Sequence, residues 1–172
     1  MRRRLAAVLL FVLPVPLFAQ SATVQREEMK KLAFLVGEWK GSGWNVGPDG
    51  TRSEFTQTER IQYRVGDLVL LIEGRGQDPI SGRTVFEALA AVSYDEAARR
   101  YRFRAYTSDG RSGDADARLV DGGLEWGMQF PGGRFRYTIT MTPKGEWFEI
   151  GEFSQDGTTW RKFHEMTLQR AK

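Results

Sequence analysis

Turn-forming residues punctuate the chain at regular intervals from Gly37 onward, and this spacing constrains the fold more than any other feature. Asp, Pro and Gly cluster every 10 to 18 residues, and the residues between the clusters alternate apolar and polar. Such alternation is typical of β-strands with one buried face, and short connections of this composition are typical of hairpins. The nine turns lie at 48–50, 66–67, 78–82, 95–96, 109–110, 121–123, 131–133, 143–145 and 156–157.

The turns separate ten predicted strands, with cores near 37–46, 51–64, 68–75, 84–94, 99–107, 113–120, 124–130, 134–142, 146–153 and 158–170. Because the connections are short, each strand must run antiparallel to the one before it. A meander of this length either exposes two edges or closes on itself, and closure removes the edges. The sequence therefore predicts an all-β fold, a single up-and-down antiparallel barrel of about ten strands, wide enough to hold a small ligand.

A short amphipathic segment precedes the first strand. Met29, Leu32, Ala33 and Val36 recur at spacings of three and four, and charged residues occupy most of the other positions. This pattern predicts one helix over residues 24–36. We expect this helix to close one end of the barrel.

The first 19 residues have the composition of a secretory signal peptide. Three arginines at positions 2–4 precede an apolar core from Leu5 to Phe18, and Ala19 is a small residue suited to cleavage, with Ala22 as the alternative. The apolar core is too short to span a bilayer as a helix. We therefore predict a barrel domain of residues 20–172, without a membrane span, that is exported to the periplasm or the extracellular space.

Removal of the signal changes the charge balance. Three of the 25 Lys and Arg residues lie in it, which leaves 22 basic residues against 22 acidic ones. A neutral mature chain argues against nucleic acid or an anionic membrane as a partner. Arg100, Arg102 and Arg104 interleave with Tyr101 and Phe103, as in some RNA-binding strands. Alternation, however, sends the arginines and the aromatic residues to opposite faces.

The chain has no cysteine and a single histidine, His164. This excludes disulfides, thiolate metal sites, thiol nucleophiles and His-Glu-x-x-His zinc sites. The sequence also has neither a Gly-x-Ser-x-Gly nucleophile elbow nor a phosphate-binding loop. We predict no metal site and no catalytic residue, and hence a protein that is not an enzyme.

Strand alternation also assigns side chains to the interior. The inward set is mostly aromatic and aliphatic, which predicts a cavity for a small hydrophobic or amphipathic ligand. The predicted ligand-lining residues are Phe55, Gln57, Glu59, Ile61, Tyr63, Leu70, Phe86, Phe103, Trp126, Met128 and Tyr137.

Two acids, Glu59 and Glu149, fall on the inner face by the same alternation. Buried carboxylates are costly unless they are paired or hydrated. Two interpretations follow: the acids anchor the polar end of a ligand, or they lie in a water-filled mouth or on a face that alternation assigns wrongly. A third, a glycosidase carboxylate pair, has no cleft to support it.

The segment Gly37-Glu38-Trp39, directly after a helix, resembles the Gly-x-Trp signature of the lipocalin and calycin barrels. The resemblance implies that the helix closes the base of the barrel and that the Trp packs beneath the cavity. It also implies that an Arg near the end of the last strand lies over the Trp, and Arg170 is the matching residue. Gly37, Trp39 and Arg170 are therefore interpreted as structural.

The longer pattern over residues 32–43 resembles the opening of nitrobindin-like barrels and of a related, largely uncharacterised group of secreted bacterial proteins. The second group also ends with an Asp-Gly-x-x-Trp turn and a Glu-x-x-x-x-Arg strand, matched here by 156–160 and 165–170. The nitrobindin resemblance implies haem as a cofactor, with His164 as its ligand. In that family, however, the His follows the final strand, whereas His164 reads as mid-strand. The sequence does not determine whether the side chain of His164 points into the barrel or toward solvent.

Three functions follow from these patterns. The leading one is an exported carrier or binding protein with a small, largely apolar ligand inside the barrel. The alternatives are a haem protein that uses His164, and a structural or interaction domain whose interior is packed with side chains.

Overall fold

The computed structural model describes residues 17–171, which form a helix followed by one closed barrel of ten antiparallel strands. Each strand pairs with its neighbours in sequence, and the first pairs with the last to close the ring. The predicted fold class, strand number and up-and-down order are confirmed. The elements are α1 (Leu17–Lys30), β1 (Gly37–Val46), β2 (Arg52–Arg64), β3 (Val69–Gln77), β4 (Thr84–Asp95), β5 (Arg100–Thr107), β6 (Ser112–Val120), β7 (Gly123–Phe130), β8 (Gly133–Met141), β9 (Trp147–Ser154) and β10 (Arg161–Arg170).

Residues 1–16 of the predicted signal peptide lie outside the described residues, and both predicted cleavage positions fall within α1. Within residues 17–171, no helix is long and apolar enough to cross a membrane.

Both ends of the helix differ from the predicted range of 24–36, and α1 already begins at Leu17. α1 ends at Lys30 and the chain continues into a short 3-10 helix, Ala33–Leu35, so the single helix predicted to reach residue 36 is wrong. The amide groups of residues 31 and 32 bond to carbonyls three residues back, at 3.1 and 3.0 Å. This tighter winding places Leu32 and Leu35 side by side in the barrel end, where both are fully buried.

Two tyrosine hydroxyls from the barrel bind the end of α1. The hydroxyl of Tyr63 donates to the carbonyl of Met29 at 2.7 Å, and that of Tyr101 donates to the carbonyl of Glu28 at 2.9 Å. The last carbonyls of a helix lack their regular intrahelical partner, and these side chains supply one. The helix is thereby fixed to β2 and β5 and closes this end of the barrel.

The last strand begins later than predicted. Oδ1 of Asp156 accepts hydrogen bonds from the amides of Thr158 and Thr159, both at 2.7 Å, so these residues belong to a turn. β10 therefore starts at Arg161, not at residue 158.

The arginines of β5 lie on the outer face and pair with acids, as the alternation predicted. Arg100 and Arg102 both bind Asp116, at 2.6 and 2.9 Å, and Arg104 binds Asp114 at 3.2 Å. Exposed pairs of this kind contribute little to stability. Because their charges are balanced by neighbouring carboxylates, they do not form a free basic surface.

Candidate functional site

The inner faces of the strands carry most of the predicted lining residues. Phe55, Gln57, Glu59, Ile61, Leu70 and Phe103 are buried, and Tyr63, Trp126 and Met128 are partly buried against the core. Phe86 is the exception, because it lies near the open end of β4 and is 39% exposed. Alternation gives the face of a residue but not its depth: Phe86 lies at the rim of the interior, and its role in lining a ligand site stays a prediction.

Five rings form a continuous series across the interior, which we call the aromatic arc: Phe103, Trp126, Tyr137, His164 and Phe55. The first three stack nearly parallel, with centroids 4.3 and 4.5 Å apart and interplanar angles of 2° and 8°. His164 follows at 5.4 Å from Tyr137, and Phe55 at 5.6 Å from His164. The arc therefore joins β5, β7, β8, β10 and β2.

Glycine at one position lets the arc continue between strands. Gly151 of β9 lies directly opposite both Tyr137 of β8 and His164 of β10. A Cβ atom at Gly151 would lie 2.8 Å from the Tyr137 ring and 2.8 Å from Cβ of His164. Any larger residue would push these two rings apart, so a glycine at position 151 is what allows them to be in contact.

Small residues lie among larger ones on the inner faces of β3 to β6, beside the aromatic arc. Such a surface leaves space that side chains from the other strands, or a bound molecule, can fill. The small inner-face residues are Gly74, Gly76, Ala88, Ala90, Ala105, Gly113, Ala115 and Ala117.

Glu59 lies in this interior with one oxygen bound and one free. Nε2 of Gln57 donates to Oε1 of Glu59 at 2.7 Å, while Oε2 is buried and has no hydrogen-bond partner. Gly74 lies directly opposite on β3, and a Cβ atom there would be 2.7 Å from Oε1. The glycine therefore provides the space in which the carboxyl group lies, only 9% exposed.

Glu149 is the second interior acid and is 6% exposed. Nε1 of Trp147 donates to its Oε2 at 2.9 Å. Burial, together with the charge of Glu59, raises the pKa of Glu149 to about 8, while the indole hydrogen bond opposes the shift. Burial likewise raises the pKa of Glu59 to about 7, against the hydrogen bond from Gln57. Both acids therefore hold a proton for much of the time near neutral pH.

No basic group balances these acids. The Lys and Arg residues at inner-face positions of the described strands lie at the two ends of the barrel, with Arg170 at the closed end and Arg161 exposed at the open end. No basic side chain contributes to the pKa of Glu59 or Glu149. The interior is thus a place where carboxyl groups are buried without a counter-ion, an arrangement that is frequent at functional sites.

His164 faces inward, which settles the question of its orientation. A β-bulge between Lys162 and His164 inserts an extra residue opposite β9 and turns the rest of β10 so that His164, Met166 and Leu168 are buried. Nδ1 of His164 lies 2.5 Å from Oδ1 of Asn45 on β1. The amide oxygen is an acceptor, so Nδ1 carries the proton of the neutral ring.

The other ring nitrogen of His164 has no partner. Nε2 is buried and makes no hydrogen bond within the described residues. Burial lowers the pKa of His164 to about 4, so the ring is neutral at physiological pH and Nε2 is a free acceptor.

The residues interpreted as structural lie at the closed end, next to the acids: Trp39 is directly opposite Glu59 in the pairing of β1 with β2, and its ring centroid lies 5.8 Å from that of Trp147. Nε1 of Trp39 donates to the carbonyl of Leu35 at 2.8 Å, and the guanidinium of Arg170 lies 4.3 Å from the Trp39 ring centroid. The same guanidinium donates to the carbonyls of Val36 and Phe34, at 2.6 and 3.0 Å. Gly37 is needed here, because its φ is +134° and a Cβ atom would lie 2.6 Å from the guanidinium.

Three contributors to the site are absent from the predicted lining set: Asn45, Trp147 and Gly151. Trp147 and Glu149 stand two residues apart on one strand, a spacing that puts them on the same face and could have revealed the hydrogen bond. The role of Asn45 has no local signal, because its partner His164 lies 119 residues away in sequence.

Two clefts on the outside of the barrel do not coincide with this site. One, of about 700 Å³, lies between α1 and the outer faces of β4 and β5, and the other, of about 400 Å³, lies at the turns 131–132 and 155–157. Both are open grooves, and neither includes a predicted lining residue. The interior is the stronger candidate because it holds buried polar atoms without partners. No group of three His, Asp or Glu residues within 17–171 is placed to hold a metal ion.

Comparison with known proteins identifies structures with a similar fold but no family to which the chain can be assigned. No protein-family profile and no curated protein matches the chain. The crystal structure of Rv2717c from M. tuberculosis is similar, with a TM-score of 0.61, 12% identity, and 84% of this chain and 97% of that chain covered. The S-type phycobiliprotein lyase CPES from Guillardia theta is similar with a TM-score of 0.58, 11% identity, and coverage of 91% and 99%.

The fold is that of a lipocalin- or calycin-like barrel. At these identities the likeness concerns the fold, over nearly the whole length of both structures. What the interior binds must therefore be argued from the residues of this chain.

Proposed function

We propose that the protein binds a small, largely apolar molecule inside the barrel, with the polar end of the molecule at Glu59. The observation that carries this proposal is Oε2 of Glu59, a polar atom buried without a partner in an otherwise aromatic and aliphatic interior. A buried polar atom without a hydrogen bond costs about 1–3 kcal/mol. A ligand that supplies the partner recovers this free energy. The aromatic arc and the small inner-face residues of β3 to β6 then contact the apolar part of the ligand.

We also propose that the protein acts after export, as its predicted signal peptide indicates, and that it carries or stores its ligand without converting it. One structure of the same fold is that of a lyase, so the fold itself is compatible with an enzyme. A carboxyl group with a pKa near 7 or 8 can also exchange protons at neutral pH. We favour a carrier because the interior is predominantly aromatic and aliphatic, a lining suited to holding an apolar molecule.

The experiment is to purify the protein from cells that express the full chain and to examine it by native mass spectrometry for a bound molecule. Displacement of a fluorescent fatty-acid probe then gives the affinity of the interior. Trp126→Ala, which opens the centre of the aromatic arc, is expected to weaken probe binding at least tenfold. Trp44→Ala is the matched control, because Trp44 lies on the outer face beneath Arg52 and is expected to leave binding unchanged.

A folded protein with neither a bound molecule nor probe binding contradicts the proposal and favours the structural alternative, a barrel packed with its own side chains. Equal effects of Trp126→Ala and Trp44→Ala would place the probe outside the barrel, which also contradicts it.

A second candidate is haem binding through His164, in line with the nitrobindin resemblance. The favouring observation is the ring itself: Asn45 holds Nδ1, so the unprotonated Nε2 is left free, as in histidines that bind metals. The packing is less favourable, because the rings of Phe55 and Tyr137 flank His164 and must move apart to admit a large planar group.

A visible spectrum tests this candidate. Haem-reconstituted protein is expected to show a Soret band that shifts or disappears in His164→Ala. The absence of a band, or an unchanged band in the variant, contradicts a haem function for His164.

A further inference from the structure

Within the described residues, the groups deep in the barrel that can become charged near neutral pH are acids, and this limits what the interior can bind. Glu59 and Glu149 are buried on the inner face. The basic residues that approach the interior lie at its ends: Arg170 is held at the closed end by Trp39, and Arg111 and Arg161 are exposed at the open end. The other titratable groups that face the interior do not supply a positive charge. Burial raises the pKa values of Tyr63, Tyr101 and Tyr137 and lowers that of His164, so all four are neutral at pH 7.

The polar groups of the interior also lack donors. The two donors that reach the acids, Nε2 of Gln57 and Nε1 of Trp147, are each engaged with one carboxyl oxygen. What is left without a partner is Oε2 of Glu59 and, in the aromatic arc, Nε2 of His164. The second of these is independent of the acids and is itself an acceptor. A ligand that donates hydrogen bonds satisfies these acceptors, and one that carries a positive charge also supplies the counter-ion that Glu59 and Glu149 lack when they ionise.

Small residues flank Glu59 on one side, whereas Trp39 of β1 lies directly opposite it on the other. Reading across the sheet from Glu59, the direct neighbours are Gly74 on β3 and then Ala88 on β4. Neither residue extends a side chain beyond Cβ, so the carboxyl group meets no bulky neighbour from these two strands.

We infer that the polar end of the ligand is a basic nitrogen, an amine or amidine carried on an apolar body, bound as its cation against Glu59 and Glu149. This inference rests on the proposed function and specifies the ligand class. The cation enters with its proton already in place, and a carboxylic acid of the pair becomes a carboxylate. The proton of that acid passes to the solvent, so charge and protons balance. No oxidant, metal or further reactant is required.

Isothermal titration calorimetry with three probes of equal chain length tests the inference: octylamine, octanol and octanoate. At pH 7 octylamine is expected to bind at least tenfold more tightly than octanol, and octanoate more weakly than both. Repeating the titration in phosphate and in Tris, which differ in their ionisation enthalpies, measures proton release. We expect proton release with octylamine and none with octanol.

Variants identify the acids responsible. Glu59→Gln and Glu149→Gln keep the size of the side chains, and the double variant is expected to lose both the preference for octylamine and the proton release while still binding octanol. Glu54→Gln is the matched control, because Glu54 lies on the exposed outer face of the same strand. It is expected to behave as the wild type.

The outcomes separate the two proposals. Binding of none of the three probes contradicts the proposed function itself. Binding of octanol as tightly as octylamine leaves the proposed function intact and overturns the inference. A preference for octylamine that persists in the double variant overturns it as well, because the cation would then be recognised elsewhere.

Discussion

The closed end of the barrel and the interior above it differ in whether their polar side-chain atoms have hydrogen-bond partners. At the closed end, the polar atoms of Trp39 and Arg170 each have a backbone carbonyl as partner, and Leu32 and Leu35 fill the space between them. In the interior, the carboxyl group of Glu59 and the imidazole of His164 are buried, yet each has an atom that is left without a partner. The contrast separates stability from recognition along the barrel axis, and it can be tested at both ends.

The largest effect is expected at the closed end. Trp39→Ala removes a fully buried ring, its hydrogen bond to Leu35 and the surface on which Arg170 lies, and should lower the free energy of unfolding by about 3–5 kcal/mol. Thermal or urea unfolding followed by circular dichroism measures the loss. Trp44→Ala is the control, because that ring also carries an arginine but is only half-buried on the outer face. Similar losses in the two variants would show that the closed end is not the main source of stability.

The next effect is a dependence of stability on pH that originates in the interior. The folded-state pKa values of Glu59 and Glu149, about 7 and 8, lie above the ordinary value of 4.5, so the folded protein binds more protons than the unfolded chain between these limits. Stability must therefore fall as pH rises from about 5 to about 8. His164 acts in the opposite sense below its ordinary value of 6.5, because its folded-state pKa is about 4.

Two acids outweigh one histidine, so the wild type is expected to lose on the order of a few kcal/mol of stability between these pH values. In the Glu59→Gln, Glu149→Gln double variant only the histidine remains, and stability should rise with pH up to about 6.5. Unfolding midpoints measured from pH 5 to pH 8 decide the matter. A wild type whose stability is flat or rises over this range would mean that the acids are ionised inside the barrel.

A smaller effect is expected from the arginine at the closed end. Arg170→Met keeps much of the aliphatic contact with Trp39 but removes the hydrogen bonds to Val36 and Phe34, which should cost about 1–2 kcal/mol. Arg52→Met, at the outer Trp44, should cost less than about 0.5 kcal/mol, as usual for an exposed side chain. Chemical unfolding of both variants gives the comparison, and equal costs would contradict a closing role for Arg170.

The smallest effect is a gain in stability at a turn of the closed end. Val65 has a φ of +54°, a conformation that β-branched residues avoid, and its side chain is 71% exposed. Val65→Asn should stabilise the protein by about 0.5–1 kcal/mol, because Asn adopts this conformation at lower cost. An unchanged or lower unfolding midpoint would show that Val65 makes a contact that compensates for its backbone.

The fold was predictable from the sequence because it rests on local signals. Turn residues at regular spacing and alternation within strands determine the number of strands, and the Gly37 to Trp39 segment indicates which end of the barrel is closed. Alternation also placed Glu59 and Glu149 correctly on the inner face.

The details of the site were less predictable because they depend on pairing across the barrel. The inward orientation of the His164 side chain follows from a bulge in β10, and no turn residue in the sequence predicts this bulge. The free oxygen of Glu59 follows from Gly74, which lies opposite it only in the folded register of β2 and β3. Phe86 shows the same limit, since its exposure depends on how far β4 extends beyond its neighbours.

The pairing of β1 with β10 has a consequence for how the chain reaches its final form. Arg170 binds Val36, a residue 134 positions earlier in the sequence, and β1 can pair with β10 only once β10 has been made. Contacts of such long range form slowly and late in folding. Until then β1 presents an unpaired strand edge, the kind of surface through which incompletely folded chains associate with one another.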